Sequence, residues 1–365
     1  MKELLWSSKS PELDGAEMAP PPFAFGTYDP FAAPEPSIAL DLRGFINILN
    51  KARYLTHVRE RVDWKSGIAR WTRSRQKPLL FENIKDYPDQ RVFTNGLANP
   101  TCIALALGFE SGIPLDSVMA RARKRLREPI APKMVPTGPV IENVVPASMI
   151  DFFQFPIPHW HERDRGRYLG TWHLNISRDP ETGQRSAGMY GMKAIGPKQA
   201  TIEASRRSDL ARHIARAEAK KIELPLAIAI GAPEATVIAA RALCPQGMDA
   251  FDLAGALQQK PVELIQCGHS EAPAYSEIVI EGFVHPEERV DDGPHFDYQG
   301  KPHTHPKAYV FEATRLMHRD EPIFRGSALG KPGAEDYQVL AFLEELKLRN
   351  AGGSRLWDLV MSLFS

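Results

Sequence analysis

The sequence predicts a mixed α/β protein: a small α/β layer, then a strand-dominated region, then a helical end. Three observations carry this prediction. Apolar residues recur at helical spacing in LRGFINILNKARYL, just after Asp41, and again in YQVLAFLEELKLR (337–349). Runs such as LPLAIAIGA (224–232) and YSEIVIEGFV (275–284) have the length and branching of buried strands. Beyond MVPTGPVIENVVPASM (134–149), a connector punctuated by proline, strand patterns dominate.

Residues 1–36 hold seven prolines and few regularly spaced apolar residues, so they read as an extended arm. Asp41 then caps a helix with Phe45, Ile48 and Leu49 on one face. LLFENI (79–84) and RVFTNGLA (91–98) read as strands, and Pro114 with Asp116 opens a helix over 113–127. Together these make an N-terminal α/β domain, 37–133. Its basic run RARKRLRE (121–128) reads as the solvated face of that helix.

A second domain spans 134–330. RYLGTWHLNISRDPETGQRSAGMYGMKAIG (167–196) is read as two strands about a tight turn from Asp179 to Gly183. Ser208 or Asp209 caps a helix running to Lys221, and short helices are expected at 235–242 and 249–257. PVELIQC (261–267) and YSEIVIEGFV follow as strands, with Glu277 and Glu281 placed on a solvent face by alternation. A loop over 290–306 and a hairpin over 308–327 complete this part. The remainder, 331–365, is a helical tail ending in LWDLVMSLF (356–364), which has no core of its own and is expected to pack on another subunit.

Lys plus Arg equals Asp plus Glu at 45 each, so no net field favours nucleic acid or an anionic membrane. Three cysteines without metal-ligand spacing indicate free thiols in a reducing compartment. MKELLWSSKS lacks a secretory apolar run, and the most apolar stretch is broken by Pro225, Gly231, Pro233 and Glu234. A soluble cytoplasmic protein is expected.

The densest chemistry lies in VDDGPHFDYQGKPHTHP (290–306), where Asp291, Asp292 and Asp297 stand beside His295, His303 and His305. Such a segment can bind a metal, transfer protons or simply face solvent. The pairs His159/His161 and His303/His305 have strand spacing for two metal ligands, but neither has a cysteine or third ligand nearby, so surface histidines are expected. Cys267-Gly268-His269-Ser270 resembles a nucleophile elbow, yet Pro273 and a strand follow where an elbow needs a helix, and an ordinary turn is expected. Asp292 and Asp297 flank Gly293-Pro294, where a rigid loop can hold one carboxyl near another and raise its pKa.

Six collinear blocks resemble the UbiD family of decarboxylases: FENIKDYPDQRVFTNG, ISRDPETGQRSAGMYGMKAIG, PLAIAIGAPEAT, DAFDLAGALQQKPVELIQC, PAYSEIVIEGFV and DDGPHFDYQG. The resemblance runs from about residue 40 to about residue 330. It implies an N-terminal α/β domain followed by a split β-barrel, flavin-binding domain. It also implies decarboxylation of aromatic or unsaturated acids with prenylated FMN, a divalent metal and potassium. The family's further C-terminal domain has no counterpart among the blocks. In the family's strand block the metal-binding Asn falls on Ser186 and the catalytic Arg on Gly191; the His falls near Arg206 and Arg207, and the Glu on Ala250, between Asp249 and Asp252. The acidic loop is kept, with Asp292 and Asp297 at the positions of the carboxylate partner and the proton donor.

From these departures the sequence is expected to work without prenylated FMN or metal, because an arginine offers no lone pair to a cation. Asp297 is then the general acid/base, Asp292 its tuner and His295 an assistant. Arg206, Arg207 and Ser186 hold the substrate anion. Decarboxylation of a small aromatic or unsaturated acid is favoured. A hydrolase, another lyase, or a non-catalytic subunit of a larger complex stands as the alternative, and a homo-oligomer or hetero-complex is expected. Whether Asp249 or Asp252 stands in for the lost Glu and rescues a metal site is left open by the sequence.

Overall fold

The computed structural model describes residues 38–242, 244, 248–296, 301–330 and 334–348. The Pro-rich arm, the apolar tail 356–364 and Asp297 therefore lie outside the described residues.

The N-terminal part runs α1 (Leu42–Lys51), β1 (Thr56–Val58), α2 (Gly67–Ser74), β2 (Leu79–Phe81), β3 (Arg91–Thr94), α3 (Pro100–Ala106) and α4 (Leu115–Leu126). Asp41 caps α1 as expected, its carboxylate accepting the Gly44 N–H at 2.7 Å. The connector supplies β4 (Lys133–Met134) and β5 (Asn143–Pro146). Then come β6 (Arg167–Gly170), β7 (His173–Arg178), β8 (Arg185–Gly188), β9 (Gly191–Ala194) and β10 (Gln199–Glu203). The segment 167–196 thus holds four short strands where two were expected, because Thr171 and Tyr190 interrupt each run.

Helix α5 (Asp209–Ala219), capped by Ser208, leads into β11 (Leu224–Ile230), α6 (Glu234–Ala240) and α7 (Ala250–Gln258). Asp249 closes α7 with a capping box shared with Asp252, so both carboxylates are engaged by backbone N–H groups. Strands β12 (Glu263–Cys267), β13 (Ser270–Pro273), β14 (Ile278–Phe296), β15 (Pro302–His318) and β16 (Ile323–Arg325) precede α8 (Glu335–Leu348). No described helix is long and apolar enough to cross a membrane.

Nine strands form the main curled sheet, in the order β6-β9-β10-β15-β14-β11-β7-β8, with β5 added beside β15. Strand β11 explains its continuous apolar run: Leu226, Ile228 and Ile230 enter one core, and Ala227 and Ala229 the other. A four-stranded sheet, β1-β2-β3-β16, takes its last strand from the far end of the chain.

Three expectations are corrected here. The stretch 290–306 is no free loop: β14 runs to Phe296 and pairs antiparallel with β15, which begins at Pro302. The hairpin over 308–327 does not form, since β15 pairs back onto β14 while β16 joins β3 in the other sheet. Glu277 and Glu281 are not on a solvent face; they are 0% and 3% exposed. Glu277 receives Arg43 at 2.9 Å and the Ile323 N–H at 3.0 Å, tying α1 to β16. Glu281 accepts the His269 N–H and the Thr314 hydroxyl, each at 3.1 Å. Alternation failed because both faces of this strand are covered.

Candidate active site

Three neighbouring strands place one row of polar side chains on a single sheet face. Tyr168 on β6 is opposite Lys193 on β9, which is opposite Thr201 on β10; one step along, Gly191 is opposite Glu203. The β14–β15 ribbon lowers Asp292 and His295 onto that face. Gly293, at φ +100°, provides the turn between them, and a Cβ there would meet the His303 carbonyl at 2.7 Å.

Asp292 is fully buried and saturated. It accepts the Tyr168 hydroxyl at 2.8 Å, the Gly293 N–H at 2.6 Å and the Thr201 hydroxyl, and Lys193 Nζ lies 2.6 Å away. Burial pushes this carboxyl up, but the Lys193, Thr201 and Tyr168 hydrogen bonds with the Lys193 charge outweigh it and hold it below the usual range. Tyr168 is driven the other way, up, by burial and by the adjacent Asp292 charge.

His295 points its Nε2 at Glu203 Oε2, 3.2 Å away, and its ring lies 4.9 Å from that of Tyr168. Burial pulls the imidazole down, and the Glu203 hydrogen bond and charge overcome it, so His295 is held above its usual value. Beside it, Asp164 accepts the His161 and Phe296 N–H groups at 2.9 and 3.2 Å, and burial pushes its carboxyl up to about 6. The His161 ring stacks on Phe296 at 3.6 Å. His173 is driven down to about 4 by burial and is neutral at pH 7.

A cavity opens against this face. Trp160, Tyr168, Tyr190 and Phe296 give it aromatic walls; Asp164, Glu203, His161, His173, His295 and Ser327 give it polar ones; Arg73 and Arg241 add two cations. Asp292 and Lys193 do not line it. Four lining residues keep buried polar atoms with no hydrogen-bond partner in the protein: both ring nitrogens of His173, Glu203 Oε1, His295 Nδ1 and Ser327 Oγ. Buried polar atoms are normally paired with protein or ordered water, so unpaired ones gathered on one cavity mark where water or a polar ligand is accommodated.

The structure therefore brings together Asp292 and His295 of the expected site and leaves the other described members out. Arg206 and Arg207 are exposed before α5 and do not line the cavity. Ser186 donates to Asp209 at 3.2 Å instead of facing a ligand. The cations at the cavity are Arg73 and Arg241, brought there by long-range packing that no local motif announces. Lys193 and Glu203 were also missed; their signal was a single charge in each short apolar strand, MKAI and ATIE, where a solvated charge is out of place. The elbow-like Ser270 sits in the β12–β13 turn, as expected.

The 3-octaprenyl-4-hydroxybenzoate carboxy-lyase Rift-related domain matches residues 133–332, and the N-terminal domain of the same carboxy-lyases matches residues 46–122. A pyrrole-2-carboxylic acid decarboxylase of Pseudomonas aeruginosa is 32% identical over 343 residues, covering 86% of this chain and 67% of the relative. A phenolic acid decarboxylase of Bacillus subtilis is 28% identical over 313 residues, covering 82% and 66%. Vanillic acid decarboxylase of Sedimentibacter hydroxybenzoicus superposes with a TM-score of 0.80 at 27% identity, over 83% of this chain and 67% of that one. An evolved dimeric form of HmfF from Pelotomaculum thermopropionicum, solved with prFMN, gives 0.78 at 27% identity, over 85% and 72%. The chain spans about two-thirds of the length of the curated relatives it matches, 65 to 67% for the first two.

These findings correct the expectation of a cofactor-free protein. Structures of the same fold hold prFMN and FMN. Arg206 is out on the surface, Ala250 is buried in the first turn of α7, and the aromatic cavity with its unpaired polar atoms remains. Its walls and cations fit a planar heterocycle carrying an anionic group. Among the described residues no cluster of three or more His, Cys, Asp or Glu is arranged for a metal.

Proposed function

The chain belongs to the UbiD family of carboxy-lyases, and on that premise we propose that it decarboxylates a small aromatic or heteroaromatic acid with a flavin of the family's type in the same cavity. The observation that carries this reading is the gathering of unpaired His173, Glu203, His295 and Ser327 atoms between aromatic walls. Loss of carbon dioxide leaves an electron pair on carbon, and a bound prenylated flavin supplies the electron sink that no side chain provides.

This chain's own residues do the rest. Trp160, Tyr168, Tyr190 and Phe296 stack planar groups and exclude water, while Arg73 and Arg241 attract the anionic groups of acid and flavin. His295, held protonated further into neutral pH by Glu203, delivers a proton to the carbon that has lost its carboxylate. Asp292 with Lys193, Thr201 and Tyr168 fixes the ribbon that carries His295. Asp297, the next residue after Phe296 in the sequence, is kept as a second acid. The acids named for the relatives, pyrrole-2-carboxylic, phenolic and vanillic, define the panel to try first.

The test is co-expression with a prenylated-flavin synthase, followed by absorbance spectra and carbon dioxide release from that panel. Turnover that is lost in His295→Gln supports the reading; a flavin-loaded protein inert toward every aromatic acid overturns it. A second reading, a non-catalytic subunit of an oligomer, is favoured by Gly191 and Ser186 standing where the family pattern has Arg and Asn. Size measurement together with turnover by the isolated chain separates the two.

A further inference from the structure

We infer that Asp164 is a positioning residue for His295: together with Arg165 it brackets that residue in the ribbon and sets a carboxylate beside it at the cavity. This rests on His295 being the proton donor of the reaction proposed above.

The bracket consists of contacts to the main chain on either side of His295. Before it, the Pro294 carbonyl accepts the Arg165 N–H at 3.1 Å; after it, the Phe296 N–H donates to Asp164 Oδ1 at 3.2 Å. Asp164 Oδ2 accepts the His161 N–H at 2.9 Å, and the His161 ring stacks on Phe296. One carboxylate thus joins the turn 161–165 to the ribbon. The turn is itself anchored. The Trp160 indole donates to the Tyr168 carbonyl at 2.9 Å, and Gly166, at φ +137°, leads back into β6 where a Cβ would meet Lys193 Cδ at 2.8 Å.

The ribbon needs this support where it receives it. The β14–β15 register shifts between Val290 and Asp292 and again between Asp292 and His295. Such irregularities bend and twist a strand, so the ladder alone does not fix where His295 points. Asp292 holds the ribbon before the second shift, and Asp164 holds it after. The carboxylate also contributes charge. Around His295 stand Glu203 of β10, Tyr168 of β6, His303 of β15 and Asp292 of its own strand, while Arg73 of α2 acts on Asp164. Burial pulls the imidazole down, and Glu203, then Asp292, then Asp164 act against it. An asparagine replaces Asp164 in neither respect. Both oxygens accept an N–H, so its amide nitrogen would set donor against donor at one of them.

The purified full chain is tested by amide hydrogen exchange across β14 and by NMR titration of the His295 ring. In Asp164→Asn the Phe296 amide is expected to exchange about tenfold to a hundredfold faster, the range for one hydrogen bond to a charged acceptor, with residues 278–284 unchanged. The proton affinity of His295 is expected to fall about twofold to fivefold, less than in Glu203→Gln. Asp164→Glu keeps the charge one methylene further out. It should return the His295 affinity while leaving Phe296 fast, and it retains the test if the Asn variant does not fold. Unchanged Phe296 exchange or an unchanged His295 titration in Asp164→Asn overturns the inference. A His295 affinity that stays low in Asp164→Glu also overturns it, since packing of the turn, not the carboxylate, would then be the cause. Neither measurement needs turnover, so each of these failures leaves the decarboxylase reading standing. Full turnover by His295→Gln removes the premise instead.

Discussion

The polar side-chain atoms of Arg325, Glu234 and Glu335 all meet partners, whereas one oxygen of Glu203 and one nitrogen of His295 do not. Arg325 is 1% exposed and gives its guanidinium to Glu234 at 2.8 Å, to Glu335 at 3.0 and 2.6 Å, and to the Gly326 carbonyl at 2.9 Å. The carboxylates in turn receive the Trp172 indole at 3.1 Å and the Asn95 and Leu97 N–H groups at 3.1 and 3.2 Å. That cluster joins β3, β16, α6 and α8. The cavity cluster is less deeply buried, with the His295 and Glu203 side chains 11% and 12% exposed, and it leaves acceptors open. A saturated buried network specifies structure, and an unsaturated one beside a cavity is kept for something that arrives later. Asp292 belongs with the first kind although it sits beside the second.

The largest effect is expected where saturation is broken. Arg325→Met keeps the bulk and strands two buried carboxylates, which should cost about 3–5 kcal/mol of stability. Denaturant unfolding followed by tryptophan fluorescence measures it; a loss below about 1 kcal/mol would mean that the cluster is not structural.

Next comes Lys193→Met, with an expected loss of about 2–4 kcal/mol at pH 7, since it leaves Asp292 buried without its cation. Asp292 is held below its usual value, so its contribution is present above the unfolded carboxyl pKa of about 3.9 and is lost as pH falls through the folded value. The penalty of Lys193→Met should accordingly shrink toward acid. Melting curves from pH 3 to 8, with Asp292→Asn as companion, show whether the two sites couple.

Smaller still is the His295 term. Its folded pKa is raised, so its stabilisation is complete below the unfolded value of about 6.5 and fades as pH rises through the folded one. Glu203→Gln should erase this decline while leaving the fold intact, the signature of a group retained for binding. A steeper decline in the variant would place Glu203 among the structural charges. Smallest of all, Arg206→Ala and Arg207→Ala are expected to stay within about 0.5 kcal/mol of wild type and to leave acid binding unchanged. A clear loss of affinity in either would restore those arginines to the site in place of Arg73 and Arg241.

What could be read from the sequence followed the range of the interaction. The Asp41 and Ser208 caps and the buried run of β11 are local signals, and the structure repeats them. The six blocks gave the family and with it the curled sheet. The ribbon of β14 and β15 was hidden because Gly, Pro and His suppress strand propensity, while pairing with a distant strand overrides it. The cavity was hidden more deeply. Tyr168, Lys193, Thr201 and Glu203 form a row only once the register of three strands is known, and no spacing along the chain encodes that register. The cofactor-free conclusion drawn from Ser186, Arg206 and Ala250 fell to the comparisons instead, since structures of the same fold hold prFMN and FMN.

The crossing of β16 also bears on how the chain reaches this state. The edge of β3, at Arg91–Thr94, pairs in parallel with Ile323–Arg325, separated from it by about three-quarters of the described chain. During synthesis that edge waits, unpaired, until the curled sheet between the two strands has been made. Contacts of such long sequence separation slow folding, and an unpaired strand edge is a site for wrong association in the interval. Glu277, which fastens both Arg43 and the Ile323 N–H, acts as the latch that ends the wait. Proteolysis of stalled nascent chains, released before and after residue 325, should show the first sheet gaining protection only in the longer ones.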